Sequence, residues 1–178
     1  MTEKIIIAGA GGQGIMVLGK VLAEAAMRED KYVTWFPSYG AEVRGGTANC
    51  MVVISDEEIG SPYINKADSM IIMNEPSLLR FSSRIKEKGL LIINSSLAKS
   101  QPDIKAYVLR YPFTDIALKV GNIKVANIVA LGCFIAKTKL IDIKTVTQVI
   151  NDFAPKDKRE LAAVNKKALN VGKELIER

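Results

Sequence analysis

The sequence predicts an α/β protein with a mostly parallel central sheet covered by helices on both faces, a three-layer α/β/α arrangement closed by a helical C-terminal third. Three observations point there. Short β-branched runs alternate with segments of helical period through most of the 178 residues. Several of those runs are apolar on both faces, as strands between two helix layers must be. From about Pro112 onward, apolar residues recur at helical spacing with no convincing strand.

The elements follow in order. Residues 4–9, centred on Ile5, Ile6 and Ile7, read as a first strand, and Ile15, Leu18, Leu22, Ala25 and Ala26 as one face of a first helix. Residues 32–36 form a short second strand, and residues 48–54 a third whose two apolar faces place it centrally. Residues 69–73 and 90–94 are two further buried strands. The helix between them is opened by Pro76 at its first position, runs to about Lys86 and is stopped by Gly89. Residues 105–109 give a sixth strand. Three helical stretches close the chain: Val125, Ile128, Val129 and Gly132; then Ile143, Val146 and Ile150; then Leu161, Val164, Ala168 and Leu175. No repeat, low-complexity tract or linker divides residues 1–178, so one domain is expected, and a chain of this size buries about 70% of its unfolded surface without disulfides or a metal.

Composition narrows the chemistry. With no histidine, Ser-His-Asp and Cys-His catalysis and His-ligated metals are excluded. Two isolated cysteines, Cys50 and Cys133, cannot supply the four thiolates of an iron–sulfur cluster, and Cys50, opening an apolar strand, is expected buried rather than reactive. The longest apolar stretch, residues 125–136, contains Asn127 and lies between Lys124 and Lys137, short of the ~20 residues of a membrane span. Met1-Thr2-Glu3-Lys4 runs straight into the first strand with no signal-peptide pattern, which makes the cytoplasm the default compartment. The net charge of +6 is uneven, −3 over residues 1–60 and +9 over the rest, which suggests an acidic partner or ligand on the C-terminal side. The basic residues there are scattered among few aromatics, so nucleic acid is not expected.

The first strand runs into Gly9-Ala10-Gly11-Gly12-Gln13-Gly14, a G-x-G-x-x-G pattern between strand and helix. Residues without Cβ permit a tight turn that brings backbone N–H groups and a helix N-terminus close to an anion. A dinucleotide site also needs an acid at the end of the second strand, where this chain has Trp35-Phe36-Pro37. Glu29 and Asp30 precede that strand and would lie at the wrong edge. Three readings stay open: an NAD or FAD loop, a purely structural turn, and a loop that contacts another anion or a partner chain.

The densest polar segment is residues 37–50. Ser38, Tyr39, Glu42, Arg44, the Gly45-Gly46 pair and Asn49 would follow the second strand at the same sheet edge as the glycine loop, where open α/β folds bind ligands. Arg44 has a planar fork suited to a carboxylate or phosphate; the alternative is a Glu42–Arg44 pair in a solvated loop.

Together these segments resemble the gamma component of the 2-oxoacid:ferredoxin oxidoreductases. The resemblance rests on residues 9–15, on Pro37 through Gly46, on Ile54-Ser55 followed by Ser61-Pro62, on Gly121-Asn122 leading into residues 126–132, and on Asn165, Ala168 and Gly172 in the closing helix. It implies that the chain works within an assembly converting a 2-oxoacid, coenzyme A and oxidised ferredoxin to an acyl-CoA, carbon dioxide and reduced ferredoxin. Thiamine diphosphate with Mg2+ and the iron–sulfur clusters would be held by alpha, beta and delta-type partners, and none by this chain alone. The Ser38 to Thr47 segment is more similar to 2-oxoglutarate-type than to pyruvate-type members. The resemblance makes Gly11, Gly12, Gln13, Gly14, Ser38, Tyr39, Glu42, Arg44, Gly45, Gly46 and Asn49 the candidate contact set toward coenzyme A or a partner, with no catalytic or metal-ligating residue in the chain. On that basis Gly12→Val should disturb assembly or coenzyme A dependence, and Asn122 and Asn127 either cap a helix or reach an interface. The isolated chain should be colourless and inactive, with an exposed apolar patch through which it could pair with a second copy. The rival classes are a free-standing NAD- or flavin-dependent oxidoreductase and a non-enzymatic α/β binding module.

Overall fold

Fully buried Ile5, Ile6, Ile7 and Ala8 put apolar side chains on both faces of the first strand, and a sheet forms around it with helices on both sides. This computed structural model describes residues 1–38, 47–153 and 159–177. Six strands, β1 (Thr2–Ala10), β2 (Tyr32–Ser38), β3 (Thr47–Ser55), β4 (Ala67–Ile72), β5 (Ile85–Asn94) and β6 (Tyr107–Tyr111), lie in the order β2-β3-β1-β4-β5-β6. β1, β4, β5 and β6 are parallel neighbours, whereas β3 runs antiparallel to both β1 and β2. The sheet is therefore mixed, with β3 as the one reversed strand.

The two helical layers are unequal. On one face Ile5, Ile7, Val52, Ile54, Ile71 and Ile92 meet α1 (Ile15–Met27), α3 (Phe113–Val120), α4 (Ala126–Thr138) and α5 (Ile143–Phe153), with α6 (Arg159–Glu177) packed over α4. On the other, Ile6, Ala8, Met51, Val53, Met70 and Ile72 are covered by α2 (Glu75–Phe81) and by extended segments bearing Ile64 and Ala98. Every residue of α4 from Ala126 to Ile135 is buried, since the sheet lies on one side and α6 on the other. There a Cβ on Gly132 would fall on the Leu169 carbonyl oxygen, and one on Gly172 on that of Val129, so the two helices touch backbone to backbone.

The expected boundaries move most around the second helix and β5, which begins at Ile85. The helix opened near Pro76 does not reach Lys86: Asn74 caps it by accepting from Ser77 N at 3.1 Å, Pro76 is its second residue, and it ends at Phe81 before a 3₁₀ turn, Ser82–Arg84. Lys86 and Gly89 lie inside β5, and Gly89 is no helix stop. It stands at a register shift where a Cβ would come within 2.8 Å of the Asp68 carbonyl oxygen, which is why the strand carries a glycine. The sixth strand begins two residues later than expected, at Tyr107. Among the described residues no helix is long and apolar enough to cross a membrane.

Candidate functional site

The glycine loop sits at the carboxyl edge of β1, and its glycines divide into two kinds. A Cβ on Gly9 would lie 2.6 Å from Gln13 Oε1 and 2.7 Å from Ile15 Cδ1; one on Gly14, at φ 72°, would overlap the Asn127 side chain. Those two are fixed by packing. Gly11 and Gly12 would place a Cβ in open space, with nothing within 4 Å, and of these only Gly12 has a left-handed backbone, φ 86°. An approaching group therefore meets bare backbone at Gly11 and Gly12. Because its φ is positive, Gly12→Val carries strain of its own as well as bulk, and Gly11 is the cleaner probe.

Gln13 does not point outward. Its Oε1 accepts from Ala10 N at 2.6 Å and its Nε2 donates to the Met73 carbonyl at 3.3 Å, so the side chain closes the turn from within. Asn127, in the first turn of α4, donates to the Gly14 carbonyl at 3.1 Å, while Asn122 accepts from Lys124 N at 2.9 Å and caps the preceding 3₁₀ turn. Of the two readings given to these asparagines, the helix-capping one holds for Asn122, and Asn127 ties α4 to the loop.

Beside Gly12 opens a pocket of about 180 Å³, lined by Gln13, Met73, Leu97, Thr114, Ile123, Lys124 and Ala126. Its rim is apolar and exposed, with Leu97 at 44% and Ile123 at 52%, and Lys124 supplies a cation. Two residues that sequence reasoning did not single out brace the residues that line it. Asn94, fully buried at the end of β5, donates to the Met73 carbonyl at 3.2 Å and to Thr114 Oγ1 at 2.9 Å. Glu75 accepts from Lys99 N at 2.5 Å and from the Ser100 hydroxyl, and holds the segment that carries Leu97. The Ser100 hydroxyl, then the Lys99 N–H, draw its carboxyl below the usual range. An asparagine ending an apolar strand at a carboxyl edge is the signal that could have found the first, since strands disfavour it.

Ser38 and Asn49 pair across β2 and β3, and Asn49 pairs with Ala8, so both lie at the same edge as the glycine loop, as expected. Thr47, which opens β3, accepts from Arg80 Nη1 at 2.7 Å, a second cation at that edge. Tyr39, Glu42, Arg44, Gly45 and Gly46, and with them the Glu42–Arg44 pairing, lie outside the described residues.

The dinucleotide reading fails on topology as well as on residue type. β3 stands between β1 and β2, so the end of β2 is two strands from the loop and presents Phe36, Pro37 and Ser38. Glu29 is at the opposite edge, where its Oε1 accepts from Asp142 N at 2.8 Å. Cys50 and Cys133 are both buried, and burial pushes each thiol up to about 12. Two buried thiols on separate elements do not fit an iron–sulfur cluster.

The fold and this edge define a glycine-loop α/β protein that stands apart from the dinucleotide-binding enzymes. The chain belongs to the pyruvate ferredoxin/flavodoxin oxidoreductase family, whose profile matches residues 4–175. It is 40% identical to ketoisovalerate oxidoreductase subunit VorA of Methanothermobacter thermautotrophicus over 134 residues, 75% of this chain and 28% of VorA. The gamma subunit of a keto/oxoacid ferredoxin oxidoreductase from Geobacter sulfurreducens superposes with a TM-score of 0.85 at 30% identity, over 98% of both chains. The 2-oxoglutarate:ferredoxin oxidoreductase of Magnetococcus marinus, solved with 2-oxoglutarate, coenzyme A and succinyl-CoA bound, superposes with a TM-score of 0.90 at 26% identity, over 99% of this chain and 31% of that one. The chain is thus similar to a whole subunit in one relative and to about a third or less of the other two.

Proposed function

We propose that this chain is the gamma component of a thiamine diphosphate-dependent 2-oxoacid:ferredoxin oxidoreductase, acting as one domain in the cytoplasm on 2-oxoglutarate. Its part is assembly and closure of the coenzyme A site. Alpha and beta-type partners would hold thiamine diphosphate with Mg2+, and a delta-type partner the clusters that pass electrons to ferredoxin. The observation that carries this reading is the open Gly11-Gly12 backbone at the sheet edge. A loop whose outer glycines are filled by packing and whose inner pair faces space is shaped to let a phosphate or another chain approach, with Lys124 and Arg80 giving the edge positive charge. Ser38 and Asn49 stand beside it, and Tyr39, Glu42, Arg44, Gly45 and Gly46 complete the proposed contact set. Coenzyme A in the Magnetococcus relative and the 2-oxoacid names of all three relatives support the assignment.

Anaerobic affinity purification of the tagged chain from its host tests it. Thiamine- and iron–sulfur-carrying proteins should co-purify, with coenzyme A-dependent reduction of a viologen dye that is faster with 2-oxoglutarate than with 2-oxoisovalerate or pyruvate. Gly11→Val in that complex should raise KM for coenzyme A about tenfold. A chain that purifies alone and binds NAD or a flavin would overturn the reading.

A further inference from the structure

We infer that Asn94 is a positioning residue that sets the form of the glycine loop through the carbonyl oxygen of Met73. That oxygen accepts two side-chain donors from opposite sides, Gln13 Nε2 at 3.3 Å from the loop and Asn94 Nδ2 at 3.2 Å from the end of β5. Each donor is tied at its other end. Gln13 Oε1 accepts from Ala10 N at 2.6 Å; Asn94 Oδ1 accepts from Thr114 N at 3.3 Å, and Asn94 Nδ2 also reaches Thr114 Oγ1 at 2.9 Å. Met73 itself is anchored on β1, donating its N–H to the Ala8 carbonyl at 2.8 Å. The result is a continuous polar relay from Ala10 through Gln13, the Met73 carbonyl and Asn94 to the first turn of α3. Three of its members, Gln13, Met73 and Thr114, line the pocket beside Gly12.

A buried amide in an otherwise apolar strand end costs desolvation unless its donors and acceptor are matched, so this relay holds one geometry rather than several. Gln13 cannot turn outward without leaving Ala10 N unpaired, and Asn94, by fixing the Met73 oxygen in place, holds the acceptor that Gln13 Nε2 reaches. The loop is thereby kept with Gly11 and Gly12 facing outward. For catalysis, this rests on the reading of the loop as the coenzyme A-facing edge.

Asn94→Asp, measured above the pH at which the new carboxyl ionises, removes the donor to Met73 and keeps the acceptor for Thr114 N; Gln13→Glu does the same from the loop side. In the isolated full chain, each should speed exchange of the hydrogen-bonded loop amides, Ala10 N–H and Gln13 N–H, about tenfold, and the double variant should add little to either single one, because both cut the same relay. In the purified complex, both should raise KM for coenzyme A severalfold with kcat nearly unchanged. A folded Asn94→Asp chain of lowered Tm whose Ala10 and Gln13 amide exchange is unaltered would overturn the proposal, leaving Asn94 a stabilising residue only. If Asn94→Asp does not fold, Gln13→Glu decides through the far end of the relay: faster exchange at Thr114 N–H supports it and unchanged exchange overturns it. Altered loop exchange with an unchanged KM for coenzyme A would support the relay and overturn the coenzyme A reading instead.

Discussion

Glycine serves opposite purposes in two regions of this molecule. Where α4 crosses α6, Gly132 and Gly172 lie against the opposing carbonyl oxygens of Leu169 and Val129, and their missing side chains are what allows the contact. At the edge of β1, Gly11 and Gly12 lie against nothing. The same residue type thus marks a filled place in one region and a vacant one in the other. Sequence alone does not distinguish them; only the distance to the next atom does. A glycine that packs is expected to matter for stability, and one that faces space for whatever comes to fill it.

Substitution by alanine grades this contrast. Gly132→Ala should have the largest effect, because the added carbon meets backbone that cannot turn aside; a loss of about 4 kcal/mol or failure to fold is expected by denaturant unfolding. Gly14→Ala combines a left-handed φ with an overlap on Asn127, and should cost about 2–3 kcal/mol. At Gly12 the φ of 86° acts alone, so Gly12→Ala should cost about 1 kcal/mol. Gly11→Ala should stay within about 0.5 kcal/mol of the native chain and show its effect only in the assembled enzyme; a large stability loss there would break the contrast. The far edge of the sheet is a control. Asp56 is held down to about 2 by Lys31, 2.5 Å away, and by the N-terminal ammonium. Since its folded value is depressed below the ordinary 3.8, its contribution is present above that pH and is lost as pH falls through about 2. Asp56→Asn should therefore lower Tm slightly at neutral pH, less so in high salt, and not at all at the acid limit, with the Gly11 and Gly12 amide signals unmoved.

Much of this was legible in the residues. The apolar runs of β1, β3, β4 and β5 were legible because burial on both faces leaves few sequence solutions, and the C-terminal third because its apolar residues recur at helical spacing. A glycine pattern without an acid after β2 argues against a dinucleotide on residue types alone, and the interposed β3 adds a topological ground. What escaped notice depends on distance along the chain. Lys86 to Gly89 read as helix and stop because nothing local records the Asp68 carbonyl that Gly89 accommodates. Gln13 read only as one residue of a backbone-lined turn, because the acceptor of its side chain, the Met73 oxygen, lies 60 residues away. Asn94 carried a signal, a polar residue ending an apolar strand, without any indication of what it would bind.

The reversal of β3 has a kinetic consequence. β2 and β3 are consecutive antiparallel neighbours, so their ladder joins residues much closer along the chain than the parallel ladder of β1 with β4, where Ile5 meets Ser69. Less loop-closure entropy is lost in forming the local pair. The β2–β3 ladder is therefore expected to form ahead of the parallel block that carries the relay.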